Sequence, residues 1–462
     1  MWETFVTATT VEQVLKLLAE HGPEARLING GTDLIIEIER RVRSPRVVID
    51  VSRIGGLDEI RREEGIFHLG AGVTHNQVAS HVGLVERALP LASACWQVGT
   101  PQIRNRATVA GNLITASPAN DTIPSLVAMG AWVTLRSQAR GKRDLALDDF
   151  ILGVRHTALA PDEMLTEISF PALKENEFGT FVKLGLRGVQ SIAVVNTAVV
   201  LGFSSSARHS EIESARIVLG SVGPTIVIAE EAQRYLIGKR LEEPVMAEAA
   251  RLAADSARPI DDLRGTAEYR REMVQVLVRR ALVSLHDGTE QGDFPSERVM
   301  LWGSTDGRFQ FLNPETAGSS DAIETTVNGK EYSVEHASDK TLLQLLREDI
   351  GLTGAKESCG EGECGSCTVF LDGIAVLACL VPASRAHRAR IVTIEGLGQG
   401  DELHPLQAAF VQAGAVQCGY CTPGFIMSGA KLLEENDHPT RGEIRQALSG
   451  NLCRCANYFR II

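Results

Sequence analysis

The sequence predicts an α+β protein of several domains, and three observations lead there. The chain has 462 residues, too many for one ordinary core and enough for about three domains. Helical and strand patterns alternate through the first 170 residues and give way to separate runs of strands and helices beyond. Eight of the nine cysteines are crowded between Cys359 and Cys455, so the last hundred or so residues form a region of a different kind.

The elements follow in order. Thr10-Val-Glu-Gln13 reads as a capping box that opens a helix, carried on by Val11, Val14, Leu15 and Leu18 and stopped at Gly22. The short run Arg26–Asn29 reads as a strand that enters the turn Gly30-Gly31-Thr32-Asp33, with a second helical pattern from Leu34. Val47–Val51 is β-branched, as a buried strand requires. Residues 66–71 repeat that signal, and Leu84–Trp96 reads as a helix. Phe178–Leu201 and Ala215–Val222 read as strands, and 229–285 as helical. Together, about 175–287 forms a separate α+β unit. His286–Ser320 is rich in Gly, Asp, Ser, Thr and Pro and reads as a linker. Ile323–Val327, Asn328-Gly329 and Glu331–Val334 form a hairpin signal. Helices are expected over 404–435 and 441–449.

Composition excludes several functions. A net charge of −12 repels nucleic acid and anionic membrane, and solubility alone accounts for the acidity. No run of about eighteen apolar residues is present, so no membrane span is expected. Met1–Thr10 lacks a basic segment followed by an apolar one. Clustered cysteines without such a leader read as metal binding in a reducing, cytoplasmic compartment.

The first cysteine set is Cys359-x4-Cys364-x2-Cys367, with Cys379 following. This is the plant-type ferredoxin spacing for a 2Fe-2S cluster. Zinc ligands usually come as two close pairs, whereas here three thiolates share one loop. That loop carries three glycines, which let the backbone wrap and point N–H groups at sulfur. Gly360, Gly362 and Gly365 also match the dinucleotide pattern G-x-G-x-x-G. The match is read as false, because it needs a strand before it and a helix after it. The second set is Cys418-x2-Cys421 and Cys453-x-Cys455; by spacing alone it could hold iron or zinc. Pro423 suits a first helical turn, which would put Cys418 and Cys421 at a helix N-terminus, where anionic thiolates are favoured. Cys95 reads as a buried core thiol.

With both sets in view, the last 140 residues resemble the iron–sulfur region of the xanthine oxidase and xanthine dehydrogenase family, the molybdenum hydroxylases. The phrases that carry the resemblance are Cys359-Gly-Glu-Gly-Glu-Cys-Gly-Ser-Cys367, Gln417-Cys-Gly-Tyr-Cys-Thr-Pro-Gly424 and Gly450-Asn-Leu-Cys-Arg-Cys455. The resemblance implies a β-grasp, ferredoxin-like 2Fe-2S domain followed by a four-helix 2Fe-2S domain. The metal ligands would be Cys359, Cys364, Cys367 and Cys379 in one and Cys418, Cys421, Cys453 and Cys455 in the other. The family usually closes on Thr-Gly-Tyr where this chain has Ala456-Asn-Tyr458, a departure that touches no ligand.

The first 287 residues resemble the family's two-part FAD-binding domain. Gly30-Gly31-Thr32-Asp33, within Leu27, Ile28, Asn29 and Leu34, looks like its first phosphate loop. Thr108-Val-Ala-Gly111-Asn112, followed by Ile114-Thr115-Ala-Ser-Pro118 and Asp121, looks like its second. Glycine there lets backbone N–H groups approach a pyrophosphate. By the same resemblance, backbone near Leu165 and the side chain of Lys183 also meet the cofactor. Family members often place the iron–sulfur domains first, whereas here the flavin domain leads. The expected layout is 1–174 FAD-binding, 175–287 flavoprotein C-terminal α+β, 288–322 linker, 323–398 ferredoxin-like and 399–462 helical.

What the resemblance implies about function is an electron-transfer subunit without a catalytic residue for substrate of its own. Its cofactors would be FAD and two 2Fe-2S clusters, with the molybdenum cofactor on a large partner subunit. Electrons would leave molybdenum and cross the helical-domain cluster, then the ferredoxin-like cluster, then FAD, and end on NAD or another acceptor. A dimer of heterodimers is expected. The rival readings are a stand-alone iron–sulfur flavoprotein diaphorase and a zinc scaffold with a degenerate flavin fold.

Overall fold

In the computed structural model, residues 1–292, 294–311, 322–398 and 402–462 are described. They form two units interleaved along the chain. One comprises Met1–Gly55, Gly99–Ala107 and Glu297–Ile462; the other comprises Gly56–Val98 and Thr108–Ser296.

The first unit begins with a parallel sheet in which Val47–Asp50 lies between Thr4–Thr7 and Ala25–Ile28. A central parallel strand is covered on both faces, and every residue of Val47–Asp50 is buried. The crossover helix Val11–His21 opens where expected, with the Thr10 hydroxyl accepting the Gln13 N–H, and Gly22 closes it at φ 49°. The reciprocal arm of the expected capping box is displaced by one residue: the Gln13 side chain accepts from the Thr9 N–H at 3.0 Å.

The same unit holds a mixed sheet, among the described residues in the order Lys330–Val334, Ile323–Val327, Arg390–Val392, Thr368–Leu371, Ile374–Leu377. Its hairpin turns at Asn328 and Gly329, with φ 51° and 77°, the left-handed pair that an Asn-Gly turn supplies. Ile323–Val327 runs parallel to Arg390–Val392. Leu342, Leu346, Val369 and Val376 pack in one buried cluster beneath it. This is the β-grasp arrangement.

Four helices follow among the described residues: Pro405–Gln412, Thr422–Glu435, Arg441–Ala447 and Tyr458–Ile461. The stretch 404–435, expected to be helical, holds two helices. Gly414 and Gly419, at φ 59° and 81°, turn the chain between them and free Cys418 from helical geometry.

In the second unit, an antiparallel sheet of described strands runs Ile60–Glu63, Ile66–Gly70, Glu163–Pro171, Trp132–Ser137, Gly141–Ala146. The helix expected over Leu84–Trp96 is broken into Val82–Arg87 and Leu89–Trp96, because Pro90 must sit in a first turn. A further antiparallel sheet, Glu177–Gly185, Ala193–Phe203, Ile212–Gly220 and Val227–Ile228, is backed by helices Glu230–Leu236, Glu243–Ser256 and Ala267–Asp287. Ala249, Ala250 and Ala253 face that core, and their small side chains let the helices approach closely. The stretch 229–285, expected to be helical, is made of these three helices.

The stretch 288–322 was expected to be a plain linker. Residues 293 and 312–321 lie outside the described residues. In the rest, Phe294 packs with Leu89 and Ala92 in the second unit, and Val299 and Leu301 are buried in the first. Val299-Met300-Leu301-Trp302 is an apolar run too short to show a period, so these anchors escape a periodicity reading.

Candidate electron-transfer site

The loop from Cys359 to Cys367 turns at Gly360, Gly362 and Gly365, all with positive φ (67°, 76° and 72°). No helix follows it; the chain enters the strand Thr368–Leu371, which removes the dinucleotide reading. The Cys359 sulfur accepts from the N–H groups of Glu361 and Glu363 at 3.4 and 3.3 Å. Cys364, Cys367 and Cys379 are buried, and Cys359 is partly exposed. The thiols meet in pairs. Cys367 and Cys379 lie 3.4 Å apart, sulfur to sulfur. Cys359 hydrogen-bonds Cys364, which pulls the Cys364 thiol down to about 4 and pushes Cys359 up. Cys379 is raised first by its bond to Cys367 and also by the charge of Cys359, so the two pairs adjoin.

The second set is built on the helix start at Thr422. Cys421 is the residue before the helix, and Pro423 occupies its first turn. Cys418 is exposed, Cys421 and Cys455 are partly buried, and Cys453 is buried. Burial first, then the neighbouring Cys453, pushes the Cys421 thiol up to about 12. Burial acts to raise Cys453 as well, but N–H groups from Asn457, Cys455 and Ala456 and the bond from Cys421 bring it below the usual thiol range.

Among the described residues, no three of His, Cys, Asp and Glu converge on a single-ion site. Paired thiols with N–H groups on sulfur are the donor chemistry of a two-iron cluster, in which four cysteines share two irons. The residues present fit that group in both sets.

Close backbone approach ties the two sets together. A Cβ on Gly365 would lie 2.4 Å from the Gly450 carbonyl oxygen, and one on Gly424 would lie 2.2 Å from that of Gly365. Asn451 Nδ2 donates to the Gly365 carbonyl at 3.2 Å, and the Tyr420 hydroxyl donates to the Glu357 carbonyl.

The first glycine loop lies in the same unit. Leu27 and Ile28 end the strand, and Asn29 presents its carbonyl to Arg106 Nη2 at 2.6 Å. A Cβ on Gly30 would lie 2.3 Å from the Arg106 carbonyl oxygen, and one on Gly31, at φ 79°, 2.4 Å from that of Leu380. Leu380 follows Cys379, so this loop rests on the backbone of the first cysteine set. Thr32 is half-buried, Asp33 is exposed, and Leu34 opens the helix Leu34–Glu39.

The second loop lies in the other unit. Thr108 Oγ1 accepts from the Gly111 N–H at 3.0 Å at the start of the helix Val109–Thr115. A Cβ on Gly111 would meet only that hydroxyl, so the space beside it is open, as a phosphate cradle needs. The Asn112 side chain accepts from Thr122, and the Thr115 hydroxyl folds back on the Gly111 carbonyl at 2.9 Å. Asp121 and Lys183, far apart in sequence, meet at 2.6 Å, with both side chains 7% exposed. Burial holds the Asp121 carboxyl above the usual carboxylate range, with Lys183 pulling against it. Asn196 Nδ2 also donates to Asp121, at 2.8 Å. Leu165 is buried in Glu163–Pro171, where the pairing register slips between Leu165 and Glu167. Sequence reasoning missed Asn196 and Arg106; an Asn within a strand and an Arg in a short turn between helices carry no signal of their own. Cys95 is fully buried, with its sulfur 3.3 Å from His75 Nδ1.

A glycine loop that rests on one of two four-thiol sets within one unit is the build of an electron-transferring oxidoreductase. The comparisons agree. Residues 3–173 match the FAD binding domain in molybdopterin dehydrogenase, and 181–285 match the CO dehydrogenase flavoprotein C-terminal domain. Residues 325–385 match the 2Fe-2S iron-sulfur cluster binding domain, and 393–462 match the 2Fe-2S binding domain that accompanies it. The nicotinate dehydrogenase small FeS subunit of Eubacterium barkeri is 49% identical over 30% of this chain and 88% of its own length. The FAD-subunit of the same organism's enzyme is 32% identical over 62% of this chain and 97% of its own. Among solved structures, carbon monoxide dehydrogenase from Hydrogenophaga pseudoflava gives a TM-score of 0.58 at 30% identity, covering 62% of this chain and 97% of that one. Quinoline 2-oxidoreductase from Pseudomonas putida 86 gives 0.59 at 26%, covering 63% and 98%. The chain belongs to the flavin and iron–sulfur subunits of the molybdenum hydroxylase family, with FAD and two 2Fe-2S clusters as its cofactors. What are two subunits in the nicotinate enzyme are one chain here.

Proposed function

We propose that the chain carries electrons from a large molybdenum-cofactor subunit to NAD or another acceptor, as a xanthine dehydrogenase-like enzyme does. The observation that carries the reading is continuity of backbone: the first glycine loop rests on Leu380, and the two cysteine sets touch through Gly365, Gly424 and Gly450. The proposed iron ligands are Cys359, Cys364, Cys367 and Cys379, and Cys418, Cys421, Cys453 and Cys455. The proposed flavin contacts are Leu27–Leu34, Thr108, Gly111, Asn112, Thr115, Asp121, Leu165 and Lys183. FAD, when bound, supplies the exchange between single electrons and a hydride pair. This chain's residues hold the groups, and Glu361 and Glu363 N–H groups stabilise thiolate charge at Cys359. The Lys183–Asp121 pair fixes the start of the helix Thr122–Ala128.

The substrate is chosen on the partner, so nicotinate, quinoline and carbon monoxide enzymes share this kind of subunit; a heterocycle or an aldehyde is the proposed class. A dimer of heterodimers in the cytoplasm completes the proposal; among the described residues, no helix is long and apolar enough to cross a membrane. Anaerobic reduction and low-temperature EPR should show two distinct two-iron signals, with about four irons per chain. Zinc without labile sulfide would refute the reading. Purification without a molybdenum subunit, with dye reduction intact, would instead favour the stand-alone diaphorase.

A further inference from the structure

The segment from Glu297 to Phe309 is packed where a spacer would be solvated. Val299 and Leu301 are buried with Phe370, Met427 and Ala430. The Leu301 carbonyl accepts the Ala375 N–H at 3.0 Å, so the segment covers the edge strand Ile374–Leu377. Asn105 Nδ2 donates to the carbonyls of Met300 and Ala375, each at 3.0 Å, and Asn105 Oδ1 accepts from Trp302 Nε1 at 2.7 Å. On the other side, the Glu435 carboxylate accepts from three N–H groups: Met300 at 3.4 Å, Trp302, and Gly303 at 3.3 Å. Further on, the Phe309 ring takes the guanidinium groups of Arg106 and Arg385 at 5.1 and 5.3 Å from its centre.

One strap therefore grips three sequence regions. Asn105 and Arg106 belong to the segment that buttresses Gly30 and Asn29. Ala375 belongs to the ferredoxin-like sheet. Glu435 ends the helix that Cys421 begins. The Met300 and Ala375 carbonyls that Asn105 binds are buried, so neither can be released without cost. In the nicotinate relative the corresponding flavin and iron–sulfur regions are separate subunits.

We propose that Glu297–Phe309 is a clamp that holds the first flavin loop against the ferredoxin-like cysteine loop, so that Asn105, Trp302 and Glu435 act as positioning residues for electron exchange between flavin and cluster. The inference rests on the electron-transfer reading above. It is tested in the full, cofactor-loaded chain with Trp302→Phe and Glu435→Gln together, and with Trp302→Phe alone in case the pair folds poorly. Amide hydrogen exchange at Met300, Trp302 and Gly303 should rise roughly tenfold or more in the double variant. FAD content, iron content and the EPR signals should stay as in the wild type, and direct dye reduction by flavin should be unchanged. After flash reduction of flavin, electron transfer to the cluster should slow. Transfer at the wild-type rate despite faster exchange overturns the clamp. Loss of iron or FAD also overturns it, because the strap would then be a folding element. If the wild type itself shows no transfer from flavin to cluster, the electron-transfer reading fails instead.

Discussion

The backbone N–H of Leu452 donates to the carbonyl oxygen of Cys364 across 3.0 Å. Cys364 belongs to the first cysteine set, and Leu452 precedes Cys453 of the second. This backbone hydrogen bond joins the ligand segments of the two proposed clusters, next to the one from Asn451 Nδ2 to the Gly365 carbonyl and beside the glycines that let the loops touch.

Leu452→Pro removes that N–H while leaving every thiol in place. Asn451 is already extended, at φ −114° and ψ 125°, as a residue before proline must be. The Leu452 side chain is 43% exposed, so its loss costs little packing. Both EPR signals should remain, and electron redistribution between them after a reducing pulse should slow. Leu452→Ala, which keeps the N–H, should behave as the wild type. Equal rates in the proline variant would remove this bond from the path.

Gly31→Ala should destabilise the fold whether or not flavin is bound. The position has φ 79°, and the added methyl would press on the Leu380 carbonyl. The expected loss is about 1–3 kcal/mol, read from denaturant midpoints. Gly188→Ala is the control: nothing lies within 4 Å of a Cβ there and its φ is ordinary. Equal midpoints for the two variants would show that the loop relaxes freely.

Gly111→Asp should act differently, by emptying the flavin site of a folded chain. Its Cβ meets only the Thr108 hydroxyl, at 3.0 Å, so the fold should tolerate it. A carboxylate beside a pyrophosphate repels it. The ratio of flavin to protein absorbance after gel filtration should fall severely in the full chain, with thermal unfolding near that of the wild-type apoprotein. A variant that keeps its flavin would move the phosphate site elsewhere.

Asp121 and Lys183 should show the asymmetry of a buried ion pair. Asp121→Asn or Lys183→Met alone leaves one buried charge unpaired, a cost of about 3–5 kcal/mol. The double variant should recover much of that loss. The pH dependence follows from the raised Asp121 carboxyl. The folded chain binds that proton more tightly than the unfolded one. The contribution therefore favours folding fully in acid below the ordinary carboxylate range, and fades as pH rises through the raised folded value. Urea midpoints across that window should lose this component in Asp121→Asn. Single losses that simply add in the double variant would mean the two groups do not interact.

Some of this was legible in the sequence, for physical reasons that can be named. The hairpin at Asn328-Gly329 is fixed by local backbone preference, and so is the helix start at Thr10. The three glycines of the first cysteine loop sit at positive φ, where a residue without Cβ is the natural choice. Other features depend on partners distant in sequence. Nothing local marks Asn196 as the third member of the Asp121 and Lys183 group, since its neighbours in Ala193–Phe203 are simply buried. Taken alone, Gly30 and Gly31 read as a plain turn sooner than as a phosphate loop, and the close approach of Arg106 and Leu380 is visible only in the fold. The packing of Val299 and Leu301 was hidden because an apolar run of four residues is too short to show a period.

Cys455→Ser separates the two cysteine sets most directly. Cys455 is half-buried in the cluster of residues around Cys453, Cys421 and Phe425, so a hydroxyl can replace its thiol without opening a cavity. Oxygen is a harder and weaker ligand than thiolate for iron in such a cluster, and the helical-domain signal should be lost or distorted. The ferredoxin-like signal should persist, because its four thiols and the N–H groups on Cys359 are untouched. Dye reduction from photoreduced flavin should persist for the same reason. In the assembly with a molybdenum subunit, flavin bleaching after substrate addition should slow sharply, and rapid-mixing absorbance reads it. Bleaching at the wild-type rate would mean that electrons enter this chain without passing Cys455, and the proposed order of the relay would have to be reversed.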